Sequence, residues 1–160
     1  MARLLAMYQN PFHPLDLTIL PKLRFLGFRI YGTEHSVQLR WIVEALAHGS
    51  VPSILEDLTI IARDEEADGY TIPGGVGEIC WTFAESELDS ILGSGDHEYP
   101  NLRRVNIVIE TSNKEELAYQ DELVALMAKR LPLLAKKGLL FAQLCDVHKV
   151  QAEMSTLLTA

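Results

Sequence analysis

Arg103-Arg104-Val105-Asn106-Ile107-Val108-Ile109-Glu110, followed by Ser112-Asn113-Lys114-Glu115, is the stretch whose reading decides the fold. Val105, Ile107 and Ile109 fall on one side of an extended chain, and Asn106, Val108 and Glu110 fall on the other. β-Branched residues at a period of two predict a strand. Ser112 followed three residues later by Glu115 has the spacing of a capping box, in which hydroxyl and carboxylate each satisfy a free amide at a helix start. A helix is therefore expected from about Asn113 toward Lys137. Its stripe would be Leu117, Val124, Met127, Leu131 and Leu134, widened by Tyr119, Leu123 and Leu126. Acids crowd its first turns and Lys129, Arg130, Lys136 and Lys137 its last, which suits the helix dipole. Pro132 should kink or split it, because proline has no amide proton to donate. Gly138 suits the left-handed position just past the end. Leu139 to Val147 then reads as a second strand. Strand, crossover helix and strand make a parallel β-α-β unit over about 103–147.

Working outward, Arg3 to Tyr8 reads as a first strand and Phe28 to Tyr31 as another, with a loop around Pro11 and Pro14 between them. Ser36 to His48 is a helix with Leu39, Ile42, Val43 and Leu46 on one stripe, Ser36 as N-cap and Gly49 just past its end. Ile54 to Ala62 contains a strand, clearest at Leu58 to Ile61. Glu78 to Phe83 alternates and reads as its hairpin partner across a long acidic, glycine-rich loop, giving a β-hairpin over about 58–83. Glu85 to Leu92 reads as a short helix, with Ser86 as its cap, and Val150 to Leu158 as a terminal one. The fold expected is α+β: a single domain, 1–160, with a mixed sheet covered by helices. A ferredoxin-like arrangement and an open three-layer sheet both satisfy these elements.

The chain has 160 residues, 48% of them hydrophobic and 22% charged, which is the composition of a globular protein. No apolar run reaches the roughly 18 residues of a membrane span, and the apolar run after Arg3 is too short for a signal peptide. A soluble cytoplasmic protein is expected. Cys80 and Cys145 sit far apart in apolar strand patterns, as buried free thiols do.

The net charge of −8 is unevenly placed. Residues 56–98 hold one Arg and twelve Asp or Glu, whereas the segments before and after carry small net positive charges. So acidic a chain is a poor nucleic-acid binder, since phosphate neutralisation needs a basic surface. The Gly74-Gly75-Val76-Gly77 run feeds a strand rather than a helix N-terminus, which is the wrong context for a phosphate cradle. Glu78 with Asp57 or Asp64 lacks the lysine partner that metal-dependent nucleases place two residues on; Cys80 stands there. Asp96-His97-Glu98 has no spacing that requires a metal. No cofactor is implied.

Two functional readings remain. The first is a non-enzymatic protein-binding domain, a small regulator, inhibitor or assembly subunit. Its carboxylates Asp64, Glu65, Glu66, Asp68, Asp96 and Glu98 would meet a protein partner with a basic surface. The alternative is a small-ligand enzyme or sensor at the strand-to-helix turn 31–36, with Thr33, Glu34 and His35 as its residues, because ligands collect at the carboxyl ends of strands in open sheets. A homo-oligomer pairing the strand edge 103–110 is a third arrangement.

Overall fold

A computed structural model of the chain describes residues 2–7, 21–31, 35–47, 54–63, 82–83, 86–94, 99–112 and 114–146, with 2–7, 31 and 35 described by their backbone alone. Five strands form one sheet: β1 (Ala2–Met7), β2 (Leu23–Tyr31), β3 (Asp57–Arg63), β4 (Arg104–Thr111) and β5 (Leu140–Asp146). The spatial order equals the chain order, and every neighbouring pair is parallel. The helices are α1 (His35–Ala47), α2 (Leu88–Gly93), α3 (Gln120–Arg130) and α4 (Pro132–Lys136), with a 3-10 turn at Glu116–Tyr119 ahead of α3.

One face of the sheet carries the core. Leu26, Phe28 and Ile30 of β2 line up with Leu58, Ile60 and Ala62 of β3, and then with Val105, Ile107 and Ile109 of β4. All are buried in a single apolar cluster with Leu39, Ile42 and Leu46 of α1, Leu88 and Leu92 of α2, and Leu123 and Met127 of α3. The Trp41 ring meets Phe28 edge-on, with centroids 5.9 Å apart. Parallel strands that advance in one direction, joined by right-handed crossovers, place every connection on the same face. The described helices accordingly pack on one side only.

The β-α-β unit over 103–147 is as the sequence predicts: β4 and β5 pair in parallel through Val105 beside Leu140 and onward to Thr111 beside Asp146. Pro132 splits the helix, with Leu131 leaving helical geometry between α3 and α4. Gly138 comes next with φ of 69°, the left-handed conformation expected of it.

The expected hairpin over 58–83 is not formed. β3 already has a parallel neighbour on each side, so no antiparallel partner has room beside it. Thr82 and Phe83 are helical, Ser86 N–H donates to the Thr82 carbonyl at 3.2 Å, and Phe83 is fully buried in the core. The sheet is thus wholly parallel rather than mixed. β4 is likewise internal, which removes the proposed oligomer edge at 103–110. The helix after β4 also starts later than the capping box implied. The 3-10 turn, at about three residues per turn, rotates the α3 side chains relative to their positions on an unbroken α-helix. Leu123 is consequently buried, while Val124 and Tyr119 stay exposed. The terminal helix expected at 150–158 lies outside the described residues.

Candidate functional site

The face of the sheet turned away from the described helices mixes polar and apolar side chains. Alternation along each strand gives it rows running across β2, β3, β4 and β5: Phe25, Asp57 and Arg104; then Thr59, Asn106 and Phe141; then Arg29, Ile61, Val108 and Gln143. Its two ends differ in accessibility. Toward the carboxyl ends of the strands, Arg29, Ile61, Val108 and Glu110 are all buried. Toward the amino ends, Arg104 and Phe141 are exposed and Asp57, Thr59 and Asn106 are half-buried.

An ion pair that spans a whole strand dominates the buried end. One guanidinium nitrogen of Arg29, on β2, donates to both carboxylate oxygens of Glu110, on β4, at 2.7 and 2.6 Å, with β3 lying between. The side chains are 7% and 0% exposed. Isolated, either charge would be costly to remove from water; together they offset much of that cost and fix which strands sit one apart. Beside them, Thr111 donates its hydroxyl to Glu116 at 2.5 Å, tying the 3-10 turn to the end of β4.

At the amino ends the charges are exposed and mostly cationic. Backbone bonds run in a line across three strands: Glu56 N–H to the Arg24 carbonyl at 2.8 Å, and Arg103 N–H to the Glu56 carbonyl at 2.7 Å. Arg24 pairs with Glu56 at 3.2 Å, and Arg104 approaches Asp57 at 3.9 Å. The Arg104 guanidinium also lies 4.9 Å from the Phe141 ring centroid, a cation–π contact between β4 and β5. On the edge strand, Gln120 uses its side-chain amide as a substitute strand. It donates to the Ala142 carbonyl at 2.9 Å and accepts from Leu144 N–H at 2.6 Å. These bonds pair part of the outer edge of β5.

Most residues singled out from the sequence fall elsewhere. Thr33, Glu34, Asp64, Glu65, Glu66, Asp68, Asp96, Glu98 and Cys80 lie outside the described residues. His35 is the first residue of α1, described by its backbone alone. Next to it, a cavity of about 420 Å³ lies against α1, bordered by Ser36, Arg40, Val43, Glu44, Thr82 and Ser86. Its lining mixes polar and apolar surface, and Arg40 and Glu44 within it pair with each other at 3.2 Å.

The described acids of segment 56–98 are largely engaged by the rest of the chain. Glu56 and Asp57 meet arginines from either flank. Asp89 accepts the amides of Leu133 and Leu134 at 3.0 and 2.9 Å, capping α4 from a neighbouring helix. Glu87 is exposed. Cys145 is half-buried. The sequence reading missed the Arg29–Glu110 pair. The available signal was a charge of each sign in two strands otherwise rich in apolar residues.

Among the described residues no cluster of three or more His, Cys, Asp or Glu is placed to hold a metal ion, and no helix is long and apolar enough to cross a membrane. No protein-family model, curated protein or solved structure matches the chain.

Proposed function

We propose that this chain is a non-enzymatic, cytosolic protein-binding domain that meets a basic partner through acids at the carboxyl ends of its strands. The supporting observation is the parallel register of all five strands. In such a sheet every strand leaves at the same end. Glu34 comes three residues after β2, Asp64, Glu65, Glu66 and Asp68 come directly after β3, and Glu115 and Glu116 come after β4. Acids at the opposite end, Glu56 and Asp57, face arginines of the chain itself. A sheet whose described helices back one face suits presentation of such a surface, and like charges gathered at one end would speed encounter with a cationic partner.

The test is charge reversal. Asp64, Glu65, Glu66 and Asp68 are changed together to lysine, and partner capture from the native host is compared at low and high salt. Capture that falls with both the reversal and the salt supports the reading. Capture indifferent to both removes it.

The ligand-site reading draws on the cavity beside Ser36, whose volume lies in the range of small-molecule pockets. Under that reading, His35→Ala should abolish a thermal shift produced by a small polar ligand. An unaltered shift would dismiss it.

A further inference from the structure

The strongest unused feature is the amino end of the sheet. Lys22, Arg24, Arg103, Arg104, Lys136 and Lys137 are all exposed there. Their closeness is set by described bonds. The line from Arg24 through Glu56 to Arg103 joins three strands, and Val105 N–H donates to the Leu139 carbonyl at 2.7 Å, two residues after Lys137. Among the described residues, Glu56 and Asp57 oppose these six cations, and their side chains are 17% and 26% exposed. A cationic rim is thus built into a chain whose net charge is −8.

A second observation gives the rim a contact point. Phe141 is 47% exposed on the edge strand, and the Arg104 guanidinium lies against its ring. Exposed aromatic and arginine side chains side by side are the residue types that dominate protein interfaces, and the stacked guanidinium keeps donors available for a carboxylate.

We propose that this rim, with Arg104 and Phe141 at its centre, is a docking surface for an acidic peptide segment of a partner protein. Charge complementarity selects the occupant: surplus cations favour carboxylates, and Phe141 adds an apolar contact for a neighbouring side chain. A nucleic acid is disfavoured, because Glu56 and Asp57 interrupt the rim and a duplex, unlike a short acidic segment, extends its charge well beyond the rim onto a chain of net charge −8. The proposal is independent of the acidic carboxyl end.

The intact chain is titrated into a fluorescein-labelled peptide of about ten residues, mostly glutamate with one phenylalanine, and read by anisotropy in about 0.05 and about 0.3 M salt. Micromolar binding is expected at low salt, weakening about tenfold at high salt. A variant with Arg103→Glu, Lys136→Glu and Lys137→Glu, all exposed positions, should raise Kd by at least about tenfold. Phe141→Ser should raise Kd about threefold or more while leaving the salt dependence unchanged. Thermal melting of both variants establishes that each is folded. Equal binding of a glutamine-substituted peptide, indifference to both variants, or tighter binding of duplex DNA of similar charge would overturn the proposal. So would salt-sensitive self-association lost in the same variants, which would assign the rim to a second copy of the chain.

Discussion

On β4, Val105, Ile107 and Ile109 turn toward the helices, while Asn106, Val108 and Glu110 turn the other way. The same strands therefore build two faces held by different physics. Among the described residues, the helix-covered face is filled by apolar side chains with no buried charge among them. The opposite face is buried at one end around the Arg29–Glu110 ion pair and open at the other, where Arg104 and Phe141 meet solvent. Apolar burial is tolerant: it needs volume and shape. The Arg29–Glu110 contact is exacting, because removing either partner leaves the other's buried charge without its main compensation.

That contrast can be broken from either side. The largest effects belong to single truncations of the two supports. Phe28→Ala should cost about 3–5 kcal/mol in chemical unfolding, from lost burial and the cavity left under Trp41. Glu110→Ala should cost a similar 3–5 kcal/mol or so, because Arg29 would be left buried without its carboxylate. The pair Arg29→Met with Glu110→Leu should then recover most of that loss, since a well-packed apolar replacement is often about neutral. If the double variant stays as unstable as Glu110→Ala, the charges are needed for more than mutual compensation. No such rescue exists for Phe28, and that difference is the sharpest measure of how the two faces differ.

Smaller effects probe the layer of helices. At Gly93 an added Cβ would meet the Leu133 Cβ at 2.5 Å, so α2 and α4 could not keep their approach. Gly93→Ala should destabilise by about 1–3 kcal/mol, as overpacking does. Asp89→Ala should cost about 1 kcal/mol by uncapping the Leu133 and Leu134 amides. At the bottom of the scale, Arg24→Gln at the exposed Arg24–Glu56 pair should fall within about 1 kcal/mol of the parent, measured by the same unfolding curves.

The β4-to-β5 unit was legible because each of its signals is local. Alternation marks β4, Pro132 breaks the helix where it stands, and Gly138 takes its φ of 69° in the turn before β5. Pairing partners are not local. Two apolar runs joined by a glycine-rich loop describe a hairpin equally well whether or not a third strand has claimed the shared edge, and β4 claims it here. The misplaced stripe on α3 has the same origin, since the 3-10 turn at Glu116–Tyr119 changes the phase without a clear mark in the residues. Arg29 and Glu110 stand 81 positions apart, so no window of sequence contains their contact. Of the two acidic loops read as a surface, the chain pattern shows abundance but not grouping. The parallel topology supplies a reason for Asp64 to Asp68 to leave at one end. For Asp96 and Glu98 it does not: Tyr99, the residue after them, donates its hydroxyl to the Leu46 carbonyl at the carboxyl end of α1.

Because spatial order repeats chain order, each strand after β1 meets a finished neighbour on its earlier side. During synthesis the nascent polypeptide can add one unit after another to a growing edge, with no segment held waiting for a distant mate. The exception is Glu110, which must reach past β3 to find Arg29. Assembly of the apolar layer can thus proceed stepwise from the first unit onward, whereas the charged lock closes only when the fourth strand arrives.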